Sequence, residues 1–579
     1  MNNYIDRYNY WCCASLFKES VREELKKIRN NIKEIEDRFC CDIKFGTGGI
    51  RGLMGAGTNR INEYTILRAT QGIAHYIISQ NSKKKSVVIA YDTRLNSKYY
   101  AELTTLCLNK NGIKTYLFKD SSPTPELSYT IRKLGCIAGI VITASHNTFE
   151  YNGYKVYWSD GGQITDLMAE RLFKEIQKVD YFDVDYQHSQ LFENDLNCFI
   201  GEDIDQSYID TIINLSLMQE TDSFDGVSIV YTPLHGTGAR LIKNIADRLD
   251  IKKFYMVNEQ IENNGYFSTV NSPNPDNKEV FNMALNLAKN KDADIIIATD
   301  PDADRLGVMA KKESDEYKFF TGNMLGVFLL NYILEQKQKM NILPPNGVVL
   351  KTIVSSKMIE EIAKNYGLEV IEVLTGFKYI GEQIEILHLN KKEFVFGLEE
   401  SNGYLAGIYA RDKDAISAAM ILCEACAFYK SKGISVWDKM LDLYKKYGFY
   451  KEDIINVNLS NINEINNVIH SLRSLSHDII LKSNVIKIND YISSKSYDII
   501  NNTVENIKLP KSNVLLYEMN NSNWFAVRSS GTEIKLKIYF GVKDRHIKNA
   551  NSKYKCIKTL IYDLINLACK NVERREKQF

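Results

Sequence analysis

The stretch Ile140–Trp158, IVITASHNTFEYNGYKVYW, decides how this chain is read. A β-branched apolar run breaks off at Ser145, His146 and Asn147, turn residues follow, and Lys155 then stands among aromatics. Continuous apolar runs of this kind suit strands covered on both faces, as in parallel or mixed α/β sheets. The polar C-terminal end of such a strand is where open α/β sheets place their ligands.

The same pattern recurs outward from this stretch. The strand candidates are SVVIAYDTR from Ser86, IAGIVITASH from Ile137, VSIVYTPLHG from Val227, ADIIIATDPD from Ala293, GVVLKTIVSS from Gly347 and FVFGLEES from Phe394. Nearly every one empties into a polar or charged loop, and helical patterns separate them, which predicts α/β layers with mixed or parallel sheets. Breaks are expected near Met218–Phe224, Thr321–Gly322 and Gly448. An Asn-rich segment over 456–513 changes character, and NWFAVRSSGTEIKLKIYFG then alternates as strand, loop and strand before a C-terminal helix. A length of 579 residues agrees with roughly four domains.

Lys and Arg total 73 against 72 Asp and Glu, a formal net charge of +1. That gives no electrostatic reason to expect nucleic acid or an anionic membrane as partner. No apolar run approaches the ~20 residues of a membrane helix, and MNNYIDRYNYWCCASLFKES lacks the basic leader of a signal peptide. The expected location is therefore cytoplasmic. The 11 scattered cysteines read as reduced thiols. Cys423 and Cys426 form a CxxC inside an Ala-rich helical pattern with no second pair, so a packed helix face is expected rather than zinc.

Several loops carry chemistry. ATDPDADRLGV sets Asp300, Asp302 and Asp304 at alternate positions after a strand. Hard divalent cations take such oxygen ligands, and three carboxylates this close repel unless a cation neutralises them. An EF-hand fits poorly, because Arg305 stands where the sixth-position Gly belongs and a strand leads in. Ser145 needs activation to act as a nucleophile. His146 is adjacent in sequence and is not expected to face it as a triad histidine would, and no GxSxG elbow is present. A phosphorylated serine facing the metal loop is the alternative, with chemistry made of positioning and electrostatics. KFGTGGIRGLMGAGTNR, with Arg51 inside, offers backbone N–H groups to an anion but lacks the GK[ST] of a P-loop. In VRSSGTEIK, Arg528, Ser530, Thr532 and Lys535 suit a phosphate. In FGLEESNGY, Glu399 and Ser401 suit sugar hydroxyls. Each alone also describes an ordinary turn, cap or acidic rim. Together they point to phosphoryl transfer on a phosphosugar.

The blocks FGTGGIRGLMGAGTNRIN, TASHNTFEYNGYKVYW, YTPLHGTG, TDPDADR, LTGFKYIGE, LEESNGYL and RDKDA, in this order, resemble the α-D-phosphohexomutase family, which includes phosphoglucomutases, phosphomannomutases and phosphopentomutases. The match looks closest to the branch of bacterial phosphoglucomutases and phosphoglucomutase-2 type enzymes. The resemblance implies three related α/β domains with mixed sheets and a smaller C-terminal α+β domain around a central cleft. The domains would span 1–220 (phosphoserine), 221–321 (metal), 322–447 (sugar) and 448–579 (phosphate). It implies an isomerase of carbohydrate metabolism with Ser145 as phosphoserine. Mg²⁺ would be held by Asp300, Asp302, Asp304 and the phosphoserine, with glucose 1,6-bisphosphate or another sugar bisphosphate as activator. Arg51, His146, Lys155 and Arg305 would transfer protons or stabilise charge. Gly376, Phe377 and Lys378 would help select the sugar, Glu399 and Ser401 would grip its hydroxyls, and His235 and Lys413 would face the cleft. Arg528, Ser530, Gly531 and Thr532 would bind the phosphate that is not reacting. Thr148 and Ser529 stand where the family usually has Pro, which loosens two loops without removing a catalytic group. The partner would be a small-molecule phosphosugar. A phosphopentomutase and a glucose 1,6-bisphosphate synthase are the alternatives, and the oligomeric state is not legible.

Overall fold

The computed structural model describes residues 3–46, 48–80, 85–181, 195–219, 223–312, 316–459, 461–475, 479, 483–529 and 535–576. Its contacts divide the chain into two compact units, 1–350 with 377–436 and 351–376 with 437–579.

The first unit begins with three short helices, Tyr4–Cys13, Glu19–Lys27 and Ile32–Phe39, gathered on a small core around Trp11, Phe17 and Phe39. Trp11 stacks on Phe17 with ring centroids 4.2 Å apart. Six strands follow: β1 (Gly49–Leu53), β2 (Ser86–Tyr91), β3 (Lys114–Phe118), β4 (Ala138–Ile142), β5 (Tyr151–Trp158) and β6 (Asn197–Ile200). They form one mixed sheet in the order β1-β5-β4-β2-β3-β6. β2, β3, β4 and β6 run parallel, β5 runs antiparallel to β4, and β1 at the edge runs antiparallel to β5. Both faces are covered. Val87, Ile89, Ile140 and Ile142 enter one core, while Val88, Ala90 and Val141 enter another. This double covering is why the strands read as unbroken apolar runs.

The second sheet repeats the plan with β7 (Ser228–Thr232), β8 (Lys253–Met256), β9 (Ile295–Thr299), β10 (Leu306–Lys311) and β11 (Tyr317–Phe320), ordered β11-β10-β9-β7-β8. β7 lies parallel to β8 and β9, and β10 turns back antiparallel to β9. β12 (Gly347–Thr352) passes from the first unit into the second, and β13 (Glu369–Val373) belongs to the second. β14 (Glu393–Glu399) and β15 (Gly403–Ala406) form a hairpin in the first unit. The helix Ala415–Lys430 buries Cys423 and Cys426, as its Ala-rich pattern predicts.

The second unit carries an antiparallel seven-stranded sheet. Its strands are β16 (Phe449–Asn458), β17 (Val485–Asp490), β18 (Lys495–Asp498), β19 (Thr503–Asn506), β20 (Val514–Met519), β21 (Trp524–Ser529) and β22 (Lys535–Asp544), ordered β16-β22-β21-β20-β17-β18-β19. Helices Ile462–Arg473 and Ile547–Glu576 cover its core. The strands and C-terminal helix expected around Trp524 are β21, β22 and Ile547–Glu576, and the α+β arrangement is the one the family resemblance implies.

Glu126, in helix Thr124–Leu134, is wholly buried, and neither carboxylate oxygen has a hydrogen-bond partner. Burial pushes its pKa up to about 8. A carboxyl raised in the folded state lends its stability below the unfolded-state pKa and loses it as pH climbs through the folded one. Glu126→Gln should therefore stabilise the protein by on the order of 2 kcal/mol at pH 8 and by far less at pH 4.5. Thermal melts at both pH values check this, and an equal shift at both would show that Glu126 is not held neutral.

Candidate active site

The site is built from loops that leave neighbouring strands on one edge. β2 and β4 are adjacent and parallel, with Tyr91 opposite Ile142. Their following loops, Asp92–Arg94 and Thr143–Asn147, therefore emerge together. Ser145 takes a left-handed backbone, φ 52°, and is 2 % exposed. Such a conformation in a non-glycine residue costs about 1–3 kcal/mol and survives only where its surroundings enforce it. The enforcement is visible. Ser145 N–H donates to Thr143 Oγ1 at 2.8 Å, and Thr143 donates in turn to Asp92 Oδ2 at 2.6 Å. The turn delivers the Ser145 hydroxyl to Asp300 Oδ2 at 2.6 Å. It also brings His146 Nδ1 to 3.3 Å from Ser145 Oγ. The expectation that sequence adjacency keeps this imidazole away from the serine is corrected, because the left-handed turn swings consecutive side chains together.

The aspartate loop leaves β9 as Ser145 leaves β4. Ala303 is left-handed at φ 49°, and its N–H donates to Asp300 O at 2.9 Å, so the loop folds back on itself. Asp300, Asp302 and Asp304 are buried, and one ligand atom of each lies within 4.8 Å of the others. Asp300 Oδ1 accepts the N–H groups of Asp304 and Arg305 at 3.1 and 3.0 Å. Asp302 Oδ2 accepts from Thr124 Oγ1 at 2.8 Å and from Lys155 Nζ at 2.7 Å. Asp304 Oδ2 faces Lys155 and Lys413 at 3.2 and 2.9 Å. Asp302 Oδ1 and Asp304 Oδ1, both buried, have no hydrogen-bond partner. Two orphaned carboxylate oxygens beside a third carboxylate form the hard donor set that suits a divalent cation.

Without a cation the cluster is an electrostatic conflict. Burial, then the charges of Asp302 and Asp304, push the Asp300 carboxyl well above the usual range. Burial would raise Asp302 too, but Lys155 outweighs it and holds Asp302 below its ordinary value. Burial would lower Lys155, and Asp302 and Asp304 more than offset that, so it stays a cation. Arg305 faces Asp276 at 3.5 Å and Asp304 at 3.9 Å. Arg51, on β1 opposite Gly153, donates to Asn147 Oδ1 at 3.0 Å.

Glu399 ends β14 and is buried, and burial raises its pKa against the pull of Lys413. Ser401 follows in the hairpin turn and is half-buried. Lys413 reaches Asp304, Asp412 and, at 4.0 Å, Glu399. Asp412 also accepts from Tyr157 Oη at 2.6 Å. Phe377 is buried, and Lys378 pairs with Asp166, which accepts from Tyr379 Oη at 2.9 Å as well. His235 is 2 % exposed, with Nδ1 facing Glu262 O and Nε2 facing Thr269 Oγ1, both at 2.9 Å. Both ring nitrogens are thus engaged by a neighbouring loop. In the second unit, Gly376 is left-handed at φ 116°, and Arg528 at the end of β21 donates to Thr375 Oγ1. Ser530, Gly531 and Thr532 lie outside the described residues.

Thr124, Tyr157 and Arg94 were not singled out in the sequence. Thr124 also ties its N–H to Asp302 O at 3.0 Å. Arg94 ends the stretch SVVIAYDTR, and the rule that strand ends carry the chemistry would have flagged it.

Residues 42–182, 206–313 and 321–447 match phosphoglucomutase/phosphomannomutase alpha/beta/alpha domains I, II and III in turn. A phosphoglucomutase of Staphylococcus epidermidis is 32% identical over 551 residues, covering 94% of this chain and 97% of that protein. One of Staphylococcus haemolyticus is 35% identical over 513 residues, covering 88% and 91%. The open-form crystal structure of the exocytosis-sensitive phosphoprotein pp63/parafusin from Paramecium matches with a TM-score of 0.68 at 18% identity, covering 91% of this chain and 96% of that one.

Asp302→Asn should weaken Mn²⁺ binding at least tenfold, measured by titration of the full chain, and leave its circular dichroism unchanged. Unaltered affinity in a folded variant would place the cation elsewhere.

Proposed function

The chain belongs to the phosphoglucomutase/phosphomannomutase family, and we propose that it interconverts glucose 1-phosphate and glucose 6-phosphate through phospho-Ser145 and a bound sugar bisphosphate. The observation that carries this reading is the Ser145 hydroxyl seated on Asp300 inside a buried aspartate cluster. That the chain is a phosphohexomutase follows from phosphoglucomutase relatives matched over nearly their whole length. Glucose as the sugar is the finer proposal. Neither a pentose mutase nor a bisphosphate synthase is favoured by those relatives.

In the proposed cycle the Oγ–P bond of phospho-Ser145 breaks as a sugar hydroxyl forms its own bond to phosphorus. The proton of that hydroxyl is taken up by a base, and a proton returns to Oγ. Apart from Asp300, which would hold the metal, His146 is the group we assign to the proton at Oγ, its Nδ1 being 3.3 Å away. Lys155 and Arg305 stay charged and balance the negative phosphoryl group, as does Arg51. Asp300, Asp302 and Asp304 would hold Mg²⁺, which when bound neutralises charge on the transferring phosphoryl oxygens. Glu399 and Ser401 would accept and donate to sugar hydroxyls, with Lys413 beside them and Gly376, Phe377 and Lys378 selecting the ring. Arg528, Ser530, Gly531 and Thr532 would hold the distal phosphate. The bisphosphate would then reorient and return its other phosphate to Ser145, with free glucose 1,6-bisphosphate priming the enzyme. We assign these roles to domains at 1–220, 221–321, 322–447 and 448–579 and the protein to the cytoplasm.

Ser145→Ala should lose at least a thousandfold in kcat, and intact mass should find one phosphate on wild type and none on the variant. Near-normal turnover in Ser145→Ala would end the phosphoserine reading. In a panel of 1-phosphates, glucose should give the highest kcat/KM. A tenfold preference for mannose, glucosamine, ribose or deoxyribose would replace glucose and leave the mutase.

A further inference from the structure

Arg94 stands outside the machinery described above, yet four carbonyls of the serine loop accept hydrogen bonds from it. Its side chain is fully buried. Nη2 donates to the carbonyls of Ser145 and Asn147, and Nη1 donates to those of Thr148 and Tyr151 at 2.8 and 3.2 Å. Nε faces Asp92 Oδ2 at 3.2 Å, the same carboxylate oxygen that accepts from Thr143. One guanidinium therefore gathers four carbonyls from a seven-residue turn whose first member is the left-handed serine. Only a planar fork with several fixed donors can do this, because a lysine ammonium offers three donors from a single point.

The other side of the guanidinium is set by the second sheet. Arg94 Cζ lies 4.8 Å from the ring centroid of Phe267, which is 1 % exposed. Phe267 belongs to the segment between β8 and β9. That segment also donates from Ser272 Oγ to His146 O at 2.9 Å. At Gly265 it passes so close to Leu95 that an added Cβ would stand 2.6 Å from Leu95 N. It is pinned to the loop after β7 by His235. That loop in turn grips the aspartate loop, with Thr237 N–H and Oγ1 both donating to Pro301 O, at 2.9 and 3.0 Å. A continuous set of contacts thus runs from the aspartate loop through His235 and Phe267 to Arg94 and the serine.

We propose that Arg94, seated on Phe267, is a positioning residue for phosphoryl transfer: it enforces the turn that sets Ser145 Oγ against the aspartate cluster. The phosphoryl-transfer part rests on the function proposed above. The positioning part stands on the loop itself. Arg94 touches no reacting atom and acts through the backbone it holds, so its loss should appear in the transfer step and not in sugar binding.

The test uses full-length wild type, Arg94→Lys and Phe267→Leu, each with Mg²⁺. Phosphate uptake by Ser145 from glucose 1,6-bisphosphate is followed by intact mass in a single turnover, and amide exchange is followed in the segment 144–151. Arg94→Lys should slow uptake at least a hundredfold and Phe267→Leu about five- to twentyfold, both with KM within twofold of wild type. Exchange over 144–151 should rise at least tenfold in Arg94→Lys, and measurably in Phe267→Leu, while 86–91 and 138–142 stay protected. If Arg94→Lys exchanges fast throughout the sheet it has lost its fold, and Phe267→Leu then decides. Unchanged exchange over 144–151, or a looser loop with wild-type uptake, or a loss confined to KM, overturns the proposal. If wild type itself takes up no phosphate, the mutase reading has failed, and the exchange data alone uphold or reject the positioning of the loop by Arg94.

Discussion

Asp300, Asp302 and Asp304 crowd three carboxylates within 4.8 Å of one another and away from water, and the surrounding structure reads as the response to that repulsion. Unpaired charges cannot be left buried at such separations. Lys155 arrives from β5, Lys413 from the loop after β15 and Thr124 from the first turn of a helix in the first sheet's domain. Each supports one oxygen of Asp302 or Asp304 and leaves the other without a hydrogen bond. The compensation is deliberately incomplete: enough to hold the loop, with a hard oxygen face remaining. Elements separated by more than a hundred residues are thereby pulled to one point.

Much of this was legible in the chain. Ser145, the three aspartates and Glu399 all sit where an apolar run ends, so local pattern alone placed them. Buried strands require apolar residues on both faces, and the first polar residues after them must lie at the sheet edge. What escaped reading depends on contacts between distant segments. Thr124 is an unremarked helix-opening threonine until Asp302, 178 residues on, accepts its hydroxyl. Tyr157 looks like one more core aromatic, and its hydroxyl reaches Asp412. The family resemblance turns His235 to the cleft, and both of its ring nitrogens meet the backbone and a side chain of a loop. The grouping of 351–376 with 437–579 also leaves no local trace, since it is made by packing and not by periodicity.

Among the described residues of the first unit the same local device appears three times. β4 and β5, β9 and β10, and β14 and β15 are antiparallel neighbours in the first unit, and the turn within each pair holds a non-glycine residue in the left-handed region: Ser145, Ala303 and Asn402, at φ 52°, 49° and 64°. Such turns reverse the chain tightly and aim the side chains beside them off the sheet edge. A recurring turn of this kind gives three related domains a common way to present chemistry, while the residue at each position is free to differ.

The bond from Ser145 Oγ to Asp300 Oδ2 has a consequence for the coupling of two events at this site. A free hydroxyl is a donor and relieves one carboxylate oxygen. Once the proposed phosphate is attached, that proton is gone and roughly two negative charges stand in its place, against an Asp300 carboxyl already raised by burial and by Asp302 and Asp304. The unmodified serine therefore lowers the cluster's need for a cation, and the modified serine increases it. By reciprocity, a bound cation must favour the phosphorylated form by the same factor that phosphorylation favours the cation. The resting enzyme would then exist as two thermodynamically distinct forms, one charged with phosphate and metal together and one relieved of both, with intermediate combinations disfavoured by electrostatics alone.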